Sequence, residues 1–478
     1  MPAHYDLILR NATVIDGTRA PRFEADVAVS GDRIAGIGSL SSSSAKTEID
    51  AQGKVLSPGF IDAHTHDDRL MLSAPDMAPK VSQGVTTVVA GNCGVSLAPL
   101  LLGSRAAPPP LDLIGDTSWY RFDSFSAYVG ELEKKPAATN AALLVGHTTL
   151  RVACMENLEQ GASGSEIRKM QLHVEEALEA GAMGCSTGLY YEPARAAPTE
   201  EVIEVCRPLT ARRALYCTHM RDEGARVIDS LEETFRIGRE LGVPVVISHH
   251  KVVGKPNHGR SKETLALIAE RMKSQQICLD CYPYEASSTI LTADRAALAS
   301  KTLVTWSKPH PEVAGMDLNE IRTRTNLSVE QLLPAGAIYF MMDEADVQRV
   351  LAFEHTMVGS DGLPHDAAPH PRLWGTFARV LGHYSRGLGL FPLETAVHKM
   401  TGLTAKSFGL EGRGVIREGA CADLCMFDAG IVDEAATFAR PIQPARGIET
   451  VIVNGAVIWR DGKPTGERPG RVLRRAPA

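Results

Sequence analysis

At 478 residues the chain is longer than one average domain and fits a barrel with an accessory domain. A hydrophobic share of 44%, a charged share of 22% and a net charge of −7 are those of a soluble globular protein, and the lack of a basic block argues against nucleic-acid or anionic-membrane partners. Nine scattered cysteines, an odd number, do not read as a disulfide framework; with no signal-like N-terminus and no apolar run of transmembrane length, the expectation is a reduced, cytoplasmic protein.

Residues 1–55 read as short strands (5–9, 13–15, 26–30, 33–37) separated by turn signals such as Asp16-Gly17 and Gly31-Asp32. The C-terminal part, from residue 413 to 478, has the same texture, with a strand at 422–428 and a hairpin turning at Asn454-Gly455. Neither end has enough strands to stand alone, so one small β domain built from both termini is expected.

Between them, residues 56–412 alternate apolar strands with helices. Eight strands are predicted, at 55–64, 86–93, 141–147, 182–186, 214–219, 243–249, 276–281 and 355–361. Helices are predicted at 165–180, 226–241 and 262–274; the first places Ile167, Met170, Val174 and Leu178 on one face. Eight such units predict an α/β fold of the (β/α)₈ barrel type, with residues 287–340 as a lid-like insertion before the last strand. An open doubly wound sheet is the alternative, but no Gly-x-Gly-x-x-Gly opens the first helix.

In a barrel, chemistry collects at the C-terminal ends of the strands. The first strand ends Asp62-Ala63-His64-Thr65-His66-Asp67-Asp68, with two imidazoles on one side of an extended chain, which is half of a metal site. Later strand ends carry Cys93, His147, Ser186, His219, His249, Tyr282 and Asp361. Cys93, in Gly91-Asn92-Cys93-Gly94, reads as a thiolate ligand, against the alternative of a small buried hydrophobe. His249 is taken as pocket-facing and its neighbour His250 as structural, because adjacent strand residues alternate faces. Asp361, in Ser360-Asp361-Gly362, reads as a ligand or as a proton shuttle beside a metal, against a turn aspartate. His147 reads equally as a site residue or a scaffold histidine.

These motifs resemble the amidohydrolase superfamily of metal-dependent hydrolases. The combination of His64-Thr65-His66-Asp67-Asp68, Gly91-Asn92-Cys93-Gly94, Gly146-His147-Thr148, Thr218-His219-Met220-Arg221-Asp222-Glu223, Ser248-His249-His250-Lys251 and His370-Pro371-Arg372-Leu373-Trp374-Gly375-Thr376 is similar to its N-acyl-D-amino-acid deacylase (D-aminoacylase) branch. The resemblance implies one tightly held Zn2+ on Cys93, His219 and His249, and a weaker second metal position on His64 and His66 with Cys93 shared. It implies Asp361 as the catalytic carboxylate and Lys251, Tyr282, Ser288 and Arg372 around the substrate's α-carboxylate. An apolar side-chain pocket is implied near Tyr190, Tyr339 and Met342. Strand four reads Gly184-Cys185-Ser186-Thr187-Gly188 and lacks the metal-bridging lysine of many superfamily members, which points to the one-zinc subset. The expected activity is zinc-dependent cleavage of small N-acyl-D-amino acids with apolar side chains. A cyclic-amide hydrolase of the dihydropyrimidinase or hydantoinase kind and a non-catalytic scaffold are the competing readings. Oligomeric state is not legible in the pattern.

Overall fold

The computed structural model describes residues 4–475. Its centre is a ring of eight parallel strands: β1 (Phe60–Asp62), β2 (Val85–Ala90), β3 (Asn140–Gly146), β4 (Gly184–Gly188), β5 (Leu215–His219), β6 (Val245–Ile247), β7 (Ile277–Cys281) and β8 (Thr356–Val358). Each strand pairs with the next in parallel. The ring closes where Ala63 N donates to Val358 O at 3.2 Å and Thr65 bridges Gly362.

The strands read as continuous apolar runs because both faces are covered. Alternate residues such as Val89, Leu144, Leu215, Val246 and Met357 fill the barrel interior. Their neighbours Val88, Leu143, Val145, Tyr216 and Val245 pack outward with the main core. Helices occupy the outside. Gly164–Glu179 starts at a capping box between Ser163 and Glu166 and buries Met170, Val174 and Leu178. Val227–Leu241 ends at Gly242 in the left-handed conformation, φ 64°. Ser261–Met272 is the third predicted helix, also found. Among the described residues no helix is long and apolar enough to cross a membrane.

The run predicted as one strand at 55–64 is two. Val55–Pro58 pairs with His4–Val14 and Leu424–Phe427 in the terminal sheet, and only Phe60–Asp62 enters the barrel. Gly59 is the pivot: a Cβ there would lie 2.1 Å from Thr86 Cγ2. The terminal sheet joins both chain ends, in the order Lys463–Pro464, Ala456–Arg460, Ile448–Val453, Leu424–Phe427, Val55–Pro58, His4–Val14, Phe23–Ser30, Arg33–Gly38. The segments expected as two strands at 5–9 and 13–15 form the single strand His4–Val14, bulged between Leu9 and Ala12. The Asn454-Gly455 hairpin turn has positive φ at both residues, 47° and 82°, as a two-residue turn of this hand requires. Val472–Leu473 leaves the β domain and pairs with Ala141 and Ala142 of β3, which ties this segment back to the barrel.

The insertion is a small folded unit. Ala286–Ile290, Ala335–Phe340 and Lys301–Ser307 form an antiparallel sheet with Ala335–Phe340 central. Its own core includes Val304, Ile321, Leu332 and Tyr339. Its first strand and following helix form part of the wall of the pocket above the barrel.

Candidate active site

The polar residues of the pocket sit where strands stop. His64 and His66 follow β1, Cys93 follows β2, His219 ends β5, His249 follows β6 and Asp361 follows β8. Three of them have left-handed backbone: Cys93 at φ 54°, His249 at 37° and Asp361 at 49°. This is an unfavourable conformation for a residue with a Cβ, so surrounding contacts must hold it. His249 N donates to Asp280 Oδ1 at 2.9 Å, and Asp361 N donates to His64 O at 2.8 Å. After Cys93, Gly94 N donates to Ser186 Oγ at 3.0 Å. A Cβ on Gly94 would meet Thr148 Oγ1 at 2.5 Å, so the Cys93 turn closes only on glycine. Strand four thus uses Ser186 to brace the Cys93 turn.

The side chains converge tightly. Cys93 Sγ lies 3.3 Å from both His64 Nε2 and His249 Nε2. The His219 and His249 ring centroids are 4.4 Å apart. Asp361 Oδ1 lies 3.2 Å from His66 Nε2 and 3.6 Å from His64 Nε2. Two donor groups result, Cys93–His219–His249 and His64–His66–Cys93–Asp361, with the ligand atoms of each within 4.8 Å of one another. All are buried.

The electrostatics match this crowding. Burial alone raises the Cys93 thiol, but His64 and His249 overcome it and hold its pKa well below the ordinary thiol range, favouring thiolate. Burial opposes ionisation of Asp361 too, yet Arg372 and His66 hold its carboxyl well below the usual carboxylate range. His66 is pushed up to about 9, Asp361 and Cys93 outweighing its burial.

The donor set suits a soft-to-borderline divalent cation. Tetrahedral thiolate and imidazole ligands about 2.0–2.3 Å from one ion stand roughly 3.5 Å apart, close to the spacing of Cys93 and His249. Neither ring nitrogen of the buried His219 has a hydrogen-bond partner in the protein, with Glu223 Oε2 3.8 Å from Nε2, and this is costly unless something else occupies it. Outer partners orient the donors. Glu223 Oε1 lies 3.1 Å from His249 Nδ1 and accepts from Lys251 Nζ at 2.6 Å. Lys80 Nζ, fully buried, donates to Asp62 Oδ2 at 2.9 Å and Ser360 Oγ at 2.7 Å. Asp62 Oδ1 accepts from Ser360 N at 2.8 Å, so one buried ion pair joins the His64 and Asp361 strands.

Other predicted residues fall at different distances. Lys251, Tyr282 and Ser288 line the pocket with the donors. Arg372 stands behind Asp361, with Nη1 2.9 Å from Asp361 Oδ2 and Nη2 donating to Ser288 O at 3.1 Å. Tyr190 stacks on His219, ring centroids 5.8 Å apart. Tyr339 and Met342 are not part of that wall. The Tyr339 hydroxyl is used inside the insertion, accepting from Thr292 N and donating to Ile290 O, and Met342 packs with Tyr282 and Tyr284 beside a neighbouring cavity. The apolar surface of the pocket comes instead from Val95, Leu113, Ile114 and Leu363. His147 begins the helix His147–Cys154, and its Nε2 lies 3.3 Å from Glu201 Oε1, which also pairs with Arg151. His250 is bonded to Thr264 Oγ1 at 2.9 Å, within the packing between β6 and the helix Ser261–Met272.

The model of the amidohydrolase family matches residues 47–308 and 313–459. The chain belongs to the amidohydrolase family. It is 58% identical to a D-aminoacylase of Alcaligenes xylosoxydans xylosoxydans over 99% of this chain and 98% of that one. It is 52% identical to an N-acyl-D-aspartate deacylase of the same organism over 99% of this chain and 95% of the relative. Among solved structures, a D-aminoacylase described by its binuclear metal centre superposes with a TM-score of 0.96 at 60% identity, covering 98% of this chain and all (100%) of that one. An N-acyl-D-glutamate deacylase of Bordetella bronchiseptica, complexed with zinc and a phosphonate inhibitor, superposes at 0.95 with 44% identity over 99% and 100% of the two chains. A dihydropyrimidinase of Brevibacillus agri shares the fold, with a TM-score of 0.62 at 16% identity over 98% of this chain and 99% of that one.

Several further residues of this amidohydrolase come to the site only in the folded structure. Asp280, inside the apolar run of β7, was findable as a carboxylate in a buried strand. Glu223 lies in the motif Thr218-His219-Met220-Arg221-Asp222-Glu223, where its spacing from His219 gives no sign of a contact with His249. Tyr191, Arg295 and the segment carrying Leu113 and Ile114 give no local signal, because only tertiary packing brings them to the pocket.

Proposed function

We propose that this amidohydrolase cleaves N-acyl-D-amino acids to a carboxylic acid and a free D-amino acid, with zinc as its metal. The observation that carries the reading is the Cys93–His219–His249 donor set facing an ionised Asp361 in one pocket, in a chain matching deacylases along its whole length. Cys93, His219 and His249 are the residues suited to hold one zinc tightly, and His64 and His66, with Cys93 shared, are suited to a weaker second position. Zinc bound there supplies Lewis-acid polarisation of the amide carbonyl.

The chain's own residues do the rest. Asp361, kept ionised by Arg372, takes the proton of the attacking water at Oδ1 or Oδ2 and hands it to the leaving nitrogen. His66, 3.2 Å from Oδ1, fixes the direction in which the carboxylate points. Tyr282 and Ser288 bring hydroxyls without protein partners toward the substrate's carboxylate, beside Lys251 and Arg372. An apolar substrate side chain packs against Val95, Leu113, Ile114 and Leu363. Three fixed points (carboxylate, carbonyl and side chain) let a rigid pocket choose one enantiomer. The free thiols, mostly buried, suit a reducing compartment.

The test is incubation of the zinc-loaded protein with racemic N-acetyl-methionine, followed by chiral chromatography. The expected result is conversion that stops at half, with free D-methionine only. Release of both enantiomers, or hydrolysis confined to hydantoins, would reject the reading.

A further inference from the structure

The C-terminal segment pairs its arginines with carboxylates one after another: Arg468 with Asp76 at 2.9 Å, Arg471 with Asp32 at 2.5 Å and Arg474 with Glu133 at 2.7 Å. Arg475 breaks the series. It lines a cavity of about 370 Å³ at the N-terminal mouth of the barrel, the end opposite the donor pocket. Arg212 and Arg213, just before β5, and Lys406, on the helix Gly402–Phe408, line the same cavity. Val245 and Ile277, the first residues of β6 and β7, give it an apolar floor. Four cations and no carboxylate face this space, in a chain whose acids outnumber its bases by 57 to 50. Among the described residues none of the four forms an ion pair, unlike the neighbouring arginines of the same segment.

Arg475 is held in place. Its Nη2 donates to Arg213 O at 2.5 Å, while Nη1 is buried and has no hydrogen-bond partner. Burial, with Arg213 adding like charge, lowers the pKa of this guanidinium from its ordinary value. A guanidinium nevertheless keeps its proton in a protein, so the buried Nη1 stays an unmatched donor. Cations at helix ends also complement helix dipoles. The helices Leu209–Arg212 and Gly402–Phe408 each end beside the cavity with about half a negative charge at most, so together they offset roughly one of four positive charges. The remainder calls for an anion. Guanidinium forks and an ammonium suit oxyanions, and several cations suit more than one negative charge. The volume lies in the roughly 300–1,000 Å³ range of small-molecule sites. An extended polyanion would meet a surface of net charge −7, whereas a small one needs only this recess.

We propose that the N-terminal mouth of the barrel carries a second ligand site, in which Arg475, Arg213, Arg212 and Lys406 bind a small polyvalent oxyanion bearing phosphate or carboxylate groups. The side chains of Leu215, Cys217, Val246 and Met357 fill the barrel between this site and the donor pocket, so its ligand does not reach the reacting atoms. The assignment stands independently of the deacylase reading.

The test is isothermal titration calorimetry on the zinc-loaded full chain, with inorganic pyrophosphate and tricarballylate as separate probes and zinc content measured before and after. The parent, Arg475→Met, Lys406→Gln and Arg474→Gln are compared. At least one probe should bind the parent at about one per chain, and the one that binds identifies the anionic group. Arg475→Met should weaken that binding by about tenfold or more, the factor that 1.4 kcal/mol represents. Lys406→Gln, on an exposed helix position, should weaken it several-fold and carries the comparison if Arg475→Met folds poorly. Arg474→Gln removes the same charge one residue away and should bind like the parent. Binding of neither probe to the parent would overturn the proposal. So would equal weakening by Arg474→Gln and Arg475→Met, which would mean diffuse charge and no site. Heat that is unchanged in both Arg475→Met and Lys406→Gln and tracks loss of zinc would place the probe at the metal centre and also overturn it.

Discussion

The two sides of the pocket are built on opposite principles. On the β1–β8 side the charged groups are joined in ion pairs: Lys80 is held by Asp62 and Ser360, and Asp361 by Arg372 and His66. On the side formed by the insertion, donors are left over: Ser287 Oγ, Ser288 Oγ and Arg295 Nε are buried without partners. A satisfied network over-determines geometry, so it can hold Asp361 and Cys93 in left-handed backbone. Unsatisfied donors lower stability until a ligand arrives, and that difference in energy is available for binding.

The contrast can be broken by substituting one residue on each side. Lys80→Met strands Asp62 and Asp67 as buried carboxylates without their cation; removing one partner of a buried pair costs about 3–5 kcal/mol. The expected result in denaturant unfolding is a loss of that order, with activity falling because the turn carrying Ser360 and Asp361 loosens. Ser287→Ala, opposite it, should change stability by less than about 1 kcal/mol, since no protein hydrogen bond is lost. Equal destabilisation by the two would mean that the sides do not differ as described.

A smaller effect sharpens the same contrast. Asp366 is buried with Oδ2 unpartnered, and burial pushes its carboxyl up to about 7, with Asp112 adding like charge. Its folded pKa therefore lies above its unfolded value, and between roughly pH 4 and 7 the folded state binds the proton more tightly. This contribution favours folding at low pH and is lost as pH rises through 7. Asp366→Asn should flatten the fall in stability between pH 5 and pH 8 by about 2–3 kcal/mol, read from urea midpoints at the two pH values; Asp112, also pushed up to about 7, keeps part of the slope. An unchanged slope would show that Asp366 does not titrate in this window.

The barrel was legible because parallel strands covered on both faces must be apolar, so His64, His219 and Asp361 stood out as polar residues closing apolar runs. The same rule overran at Val55–Pro58, which is equally apolar but belongs to the other sheet, with Gly59 as the only mark of the change. Arg295 and Lys80 sit in ordinary helical or helix-like stretches, and burial alone, a tertiary property, makes them notable. Local packing turns Tyr339 toward the insertion core and Met342 toward a neighbouring cavity, which no local sequence signal marks.

In the proposed function a fixed carboxylate beside a cysteine–histidine donor set performs the chemistry. Its most direct test is Asp361→Asn, assayed for zinc per chain and for kcat on N-acetyl-D-methionine. Loss of a general acid–base group costs about 10²–10⁴-fold. The kcat should fall by at least that much while about one zinc per chain remains, because Cys93, His219 and His249 are untouched. Unchanged kcat, or activity restored by added zinc after its loss, would contradict it.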